Sequence, residues 1–316
     1  MTTSIQQKYE DGFLGAPINL IEKELCLAEG IFKGPSAIRH LVENNPGASK
    51  RVMLWRSREK YDPGAFAEEA QTTGDCVSHG DRSARDVTRS VEIHIKGEAE
   101  QYFKRGATEP TYGFRGHDGE GMDPFRAARF VTEHGYMVRQ NYPGVVDLTK
   151  YNSKIGTRWG SSGPPQAVLT ECKKYPVGEF VSPDDDDEAM ALFNNGSACH
   201  SGQNIGFKNS PNSRGIHERG GSWNHDMVTT GFDDTKDIWK ERVYFVINSW
   251  GDFNEQWSEW IKDTEIQKLL GPPIPGMIIV AADVWEQYFL ENALFYSNIA
   301  GFPVQNLPDY GTGEFL

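Results

Sequence analysis

His225-Asp226-Met227-Val228-Thr229-Thr230-Gly231-Phe232 and Val243-Tyr244-Phe245-Val246-Ile247-Asn248 are two β-rich runs, and between them lies the polar stretch Asp233-Asp234-Thr235-Lys236-Asp237. Opposed residues of an antiparallel pair share a constant index sum. A pair that sets His225 against Asn248 has its midpoint inside that polar stretch, where a connection belongs. The pattern therefore predicts an imidazole and a carboxamide side by side at the open end of a hairpin. An amide oxygen there can accept the ring N–H, fixing tautomer and ring direction. That is the orienting half of a nucleophile–base–orienter set.

A nucleophile has to come from elsewhere in the chain. From Cys76 onward, Val77, Ala84, Val87, Val91 and Ile95 recur on one helical face that ends near Gly97. Cys76 thus opens a helix, where the positive end of the dipole and uncovered N–H groups favour thiolate over thiol. The same N–H groups can hold an oxyanion, and Gln71 could add a side-chain N–H. His79, three residues on, shares the helix face, either tuning the thiol or packing.

The rest of the chain sets the frame. Residues 1–50 carry two short helical patterns, around 18–25 and 35–42. Asp123–His134 reads as a helix stopped by Gly135. Tyr175–Val181 alternates as a strand, and Ser182-Pro183-Asp184-Asp185 reads as the cap and acidic first turn of a helix through Ala189–Phe193 rather than as a calcium loop. Met277–Ala282 is β-rich, and Trp285–Phe289 is helical. Gly116–Gly121 resembles a phosphate loop superficially, but no strand leads into it, so a flexible surface loop is expected. Helices dominate the first half and strands the second: an α+β chain in two lobes.

Composition excludes several classes. Among 316 residues, 45 acidic and 32 basic side chains leave a net charge of −13. Without a basic run, that charge disfavours nucleic acid as a partner. Val243–Ile247 and Met277–Ala282, the longest apolar runs, are too short to cross a bilayer. The first seven residues show no secretory pattern, so a cytoplasmic or virion-associated location is expected. Cys26, Cys76, Cys172 and Cys199 are widely spaced, which favours free thiols over disulfides. Cys172, Cys199, His200 and His217 lack metal-ligand spacing. No metal or other cofactor is expected.

Gln71-Thr72-Thr73-Gly74-Asp75-Cys76-Val77-Ser78-His79-Gly80, Gly221–Asp233 and Tyr244-Phe245-Val246-Ile247-Asn248-Ser249-Trp250-Gly251, with a weaker match over Ala127–Pro143, resemble the papain-like cysteine peptidases, in particular their divergent bacterial and phage forms. The likeness spans roughly Val52–Phe289. It implies Cys76 as nucleophile, His225 as general base then acid, Asn248 as orienter, Gln71 as oxyanion donor and Trp250 as a shield over the His–Asn bond. It also implies a two-lobed fold, a helical lobe joined to a β-barrel-like lobe, with polypeptide substrate between them. His225 follows Cys76 by 149 residues and Asn248 by 172. The usual separation is about 130–150, so an enlarged loop around Lys236–Arg242 is expected. Departures from the pattern are Val77 in place of an aromatic, no upstream cysteine, and Gln71 one residue nearer the thiol.

The expected organisation is an N-terminal extension over 1–51, a papain-like domain over 52–289 and a C-terminal helix end and tail over 290–316. Within the domain, the helical lobe covers about 71–160 and the β lobe about 161–289. The expected activity is thiol peptidase or amide hydrolase through an acyl-enzyme, with acyl transfer using the same groups. The alternative is a papain-like structural or docking component of a larger assembly such as a phage virion, with weak or no peptidase activity. Residues 1–50 and 301–316 would then carry the contacts to assembly partners.

Overall fold

The computed structural model describes residues 16, 20–29, 38–44, 50–95, 97–100, 103–251, 263–272 and 274–297. The C-terminal segment 301–316 and most of residues 1–50, expected to contact partners, lie outside these. At the centre is the 19-residue helix Cys76–His94. Its predicted stripe of Val77, Ala84, Val87 and Val91 is buried in the main core with Met227, Val228, Phe245 and Val246 of the sheet. The polar residues of this helix are buried as well, because ion pairs receive them. Arg85 meets Asp81 at 2.8 Å, Arg82 meets Glu69 at 2.6 Å, and Arg58 of the preceding helix Trp55–Tyr61 reaches Asp86 at 3.2 Å. Buried charge survives only when paired in this way.

Strands β1 (Arg51–Met53), β4 (Glu179–Val181), β5 (Cys199–Gln203), β6 (His225–Asp233), β7 (Val243–Ile247), β8 (Met277–Ala281) and β9 (Ala293–Ser297) form one antiparallel sheet, while β2 (Asn141–Tyr142) and β3 (Val146–Asp147) pair separately. The order is β4-β9-β5-β6-β7-β8, with β1 added to the far end of β6. This is an open path, so the barrel-like lobe expected from the resemblance is not a closed barrel. The sheet also extends past residue 289, because β9 lies between β4 and β5.

The helix Pro124–His134 begins at Asp123, whose carboxylate accepts from Arg126 N–H, and stops at Gly135 with φ 79°. Phe125, Ala128, Phe130 and Val131 seat it in a second core with Leu148, Trp159 and Tyr296. The acidic run behaves as a helix start, although the cap is Asp185, which accepts from Glu188 N–H, and the helix is Asp186–Asn194. The N-terminal helix Leu20–Ala28 docks on Pro124–His134 through Arg129, which pairs with Glu22 at 2.7 Å and with Glu29.

The β6–β7 register differs from the expectation by two residues. Val228 faces Ile247 and Thr229 faces Val246, and the register shifts again between Thr229 and Phe232. Continued to the open end, this register sets His225 against Trp250, with Asn248 on the diagonal. The irregularity coincides with Gly231, at φ 138°, where an added Cβ would lie 2.0 Å from the Val52 carbonyl of β1. A third strand backbone presses on β6 there, and the ladder yields. The β6–β7 connection covers residues 234–242. It is anchored by Arg51, which bonds Asp233 at 2.8 Å and Asp237 at 2.7 Å, and by the Trp239 indole on Asp233.

Candidate active site

The first turn of the central helix is built around Asp75. Its carbonyl accepts from Ser78 Oγ at 2.8 Å and from His79 N–H at 3.1 Å. Cys76 is the first helical residue and is fully buried. Positions 76, 79, 80 and 83 fall on one face of an α-helix. His79, Gly80 and Ser83 of that face share a cavity of about 10 Å³ with Asp226, Met227 and Val228 of β6 and with Ile247, Asn248 and Ser249 at the end of β7. The helix face to which position 76 belongs therefore packs, at His79, Gly80 and Ser83, against the ends of β6 and β7. Gly80 permits the approach, since a Cβ there would lie 1.8 Å from Asp226 Oδ1.

His225 and Asn248 meet as the sequence suggested. The ring Nε2 lies 3.1 Å from Asn248 Oδ1, which also accepts Trp250 N–H at 3.1 Å. An amide oxygen accepts only, so Nε2 carries the proton and the lone pair of the neutral ring is on Nδ1. The Trp250 indole stacks on the His225 ring at 4.7 Å and 24°, and Trp223 backs Trp250 at 4.8 Å. Beneath these rings His225 and Asn248 are both buried. Burial holds the His225 imidazole down at about 3, partly offset by Asn248 and reinforced by nearby His79. In this closed arrangement the ring is neutral.

Gln71 is fixed to the same strand end. Its N–H donates to Ser249 O at 2.9 Å, Ser249 Oγ donates to its side-chain oxygen, and its Nε2 donates to Thr73 O at 2.9 Å. Ser249 was not singled out from the sequence, yet it clamps the Gln71 amide. Its place between Asn248 and Trp250 was the available signal. Tyr151 was missed too. Its hydroxyl donates to Asp75 Oδ2 at 2.7 Å and accepts from Thr72 N–H at 3.2 Å, bracing the loop before Cys76. Nothing in its local sequence separates it from a surface tyrosine.

Gly116–Gly121 is not a loose loop. Gly121 N–H donates to Gly74 O at 3.0 Å, Thr73 Oγ1 donates to Glu120 at 2.8 Å, and the buried Arg115 holds Gly119 O at 2.8 Å. These bonds place it beside the approach to Cys76. The other sulfur and imidazole groups have separate duties. His200 Nδ1 pairs with Asp226 at 3.1 Å, His217 Nδ1 accepts from Ile279 N–H, and Cys172 and Cys199 are buried in the two cores. His79 lies with Nε2 3.5 Å from Asp75 and edge-on to Tyr151. Ala16, buried, donates its N–H to Asn224 O at 3.2 Å, one residue before His225. Ala16 thus reaches the strand end that carries His225.

No protein-family model matches the sequence, and no curated protein matches it. Similar solved structures exist. Xylellain, a cysteine protease from Xylella fastidiosa, superposes with a TM-score of 0.57 at 13% identity, over 91% of this chain and 96% of that one. A proCathepsin B from Trypanosoma congolense gives 0.49 at 12% identity, over 93% and 89%. Bromelain from Ananas comosus, in complex with the E64 inhibitor, gives 0.43 at 13%, over 79% and 99%. The match to xylellain spans nearly both chains, and the fold is papain-like.

Proposed function

With a papain-like fold as the premise, we propose that the chain is a cysteine peptidase or related amide hydrolase acting on polypeptides through Cys76, His225 and Asn248. Cys76 Sγ attacks the scissile carbonyl carbon while its proton passes to His225 Nδ1. The carbonyl oxygen becomes an oxyanion, held by Cys76 N–H and the Gln71 side-chain amide. Collapse of this adduct breaks the C–N bond. The amine leaves with the proton from His225, and a thioester remains on Cys76. Water, deprotonated by His225, then attacks the thioester; the acid departs and the thiol regains its proton. Asn248 keeps Nδ1 aimed at the sulfur throughout, and Trp250 keeps water from competing for Nε2.

The observation that carries this reading is the continuous set of contacts at one strand end. His225 bonds Asn248 beneath Trp250, and Ser249 next to it holds Gln71, on the loop leading into the Cys76 helix. The test is hydrolysis of a quenched fluorescent peptide library by the full chain and by Cys76→Ala. Loss of turnover with an unchanged melting temperature supports the assignment, and equal turnover refutes it.

A second reading also has an observation in its favour. Cys76 and His225 are both 0% exposed, and the Ala16 peptide is bonded at the edge of the site. A site kept shut in this way suits a docking component of an assembly with little activity of its own. Ala16→Pro removes the N–H that donates to Asn224. If the site is a covered enzyme, this variant reacts faster with thiol reagents at Cys76 and turns over more peptide. Faster labelling with no turnover favours the docking role.

A further inference from the structure

A groove of about 540 Å³ lies on the helical side of the molecule, walled by Val145, Val146, Ile155 and Tyr151, with Lys150 and Arg158 at its rim. That volume suits several side chains of a ligand. Lys150 and Arg158 are exposed, and neither is ion-paired to another described residue. Asp147 is the one acid in the lining, and its Oδ1 accepts from the N–H and hydroxyl of Thr149, at 3.0 and 2.7 Å, so one anion stands against two cations. In a chain of net charge −13, a concavity whose lining is net positive, two cations to one anion, is set against the prevailing field.

Tyr151 joins this groove to the candidate site. One side of the residue lines the groove, while its hydroxyl bonds Asp75 and Thr72, the neighbours of Cys76 and Gln71. Thr72 Oγ1 also bonds Ser153 Oγ at 2.8 Å, at the start of the helix Ser153–Trp159 that carries Ile155 and Arg158. We infer that the groove is a docking site for an acidic segment of the polypeptide substrate, whose carboxylates meet Lys150 and Arg158 while alternate apolar side chains cover Val145, Val146 and Ile155. A small free anion would satisfy the two cations but leave those three apolar walls in water. The inference rests on the peptidase reading for its biological sense, but not for its binding chemistry.

The test separates the two. A fluorescein-labelled peptide alternating Asp and Leu is titrated into full-length Cys76→Ala protein, followed by anisotropy, beside a Lys–Leu peptide and an Asp–Ser peptide. The Asp–Leu peptide is expected to bind best and to lose roughly tenfold in affinity on Lys150→Glu with Arg158→Glu, the scale of two rim charge pairs, with a smaller loss on the double Gln variant. Added salt should weaken it, since exposed pairs are screened. Equal binding of acidic and basic peptides, or no change on charge reversal, overturns the proposal even if the wild-type chain cleaves peptides. Displacement by inorganic phosphate with no preference for Leu over Ser also overturns it, because it marks a small-anion pocket. Charge-dependent binding in a chain that cleaves nothing upholds the groove and removes the peptidase reading alone. In an active chain, an acidic flank should raise kcat/KM severalfold over a basic flank, and the double Glu variant should reverse that order.

Discussion

Alkylation by iodoacetamide should single out Cys76 among the four cysteines. Burial pushes the Cys26 and Cys172 thiols up to about 12 and raises Cys199 as well. At pH 7.5 a thiol of pKa 12 is ionised in only ~3 molecules per 10⁵, against roughly one in ten for an unperturbed cysteine. Low-pKa thiolates are intrinsically weaker nucleophiles by a Brønsted factor of ~0.4–0.5, which returns about 40-fold. A thiol raised to 12 therefore trails an unperturbed one by roughly 10², and Cys76, buried as well, is expected to lead because His225 and the helix terminus act on its thiolate alone. Asn248→Ala leaves His225 Nε2–H without its acceptor, a loss of ~1–3 kcal/mol in a buried site, and should slow Cys76 labelling by one to two orders of magnitude. Peptide mass mapping of a labelling time course gives all four rates, with denatured protein as the equal-rate control. Four similar native rates, or Cys76 the slowest, would refute the thiol–imidazole–carboxamide account.

Gln71→Ala should lower kcat by about 10²–10³ with KM little changed, if its amide serves the oxyanion; steady-state kinetics on a fluorescent peptide decide, and an equal rise in KM would move Gln71 to substrate binding. Gly80→Ala places a Cβ on the Asp226 carboxylate and should destabilise the fold by ~2 kcal/mol or more, read as a lowered urea midpoint. Stability should also fall on acidification. His217 and His225 are held at about 3, chiefly by burial, so the unfolded chain takes up their protons first. Their contribution is complete above pH 6.5 and is lost as pH falls toward 3, about 2 kcal/mol each at pH 5. His200 runs the other way, because Asp226 outweighs burial and raises it; its contribution is present below pH 6.5 and fades as pH climbs through the folded value. His217→Leu should therefore melt lower at neutral pH yet show a shallower slope between pH 6.5 and 5 by calorimetry; an unchanged slope would deny that His217 is buried neutral.

The helices at Cys76 and Pro124 were legible because each has an apolar stripe with a 3.6-residue period and a clear start or stop. His225 and Asn248 were legible as neighbours because both lie at strand ends flanking a polar connection. Their register was not, since the two-residue offset and the shift at Gly231 depend on β1, more than 170 residues away in sequence. The Asp81, Arg82, Arg85 and Asp86 cluster gave no sign that it is interior; Asp81 and Arg85 pair within the helix, but Arg82 and Asp86 depend on Glu69 and Arg58 from other segments. Tyr151 and the pinning of Gly116–Gly121 were hidden for the same reason. Single residues meeting across long separations leave no periodicity to read.

The position of β9 bears on how the molecule comes into being. Among the described residues strand β4 pairs only with β9, and β9 inserts between β4 and β5, so residues 293–297 fill an inner seam rather than an edge. During synthesis that seam stays open until residue 297 has emerged. Phe180, which belongs inside, faces solvent while it waits. A ribosome-bound chain stopped short of residue 293 would already contain every reactive group named above and yet lack the wall that holds them together.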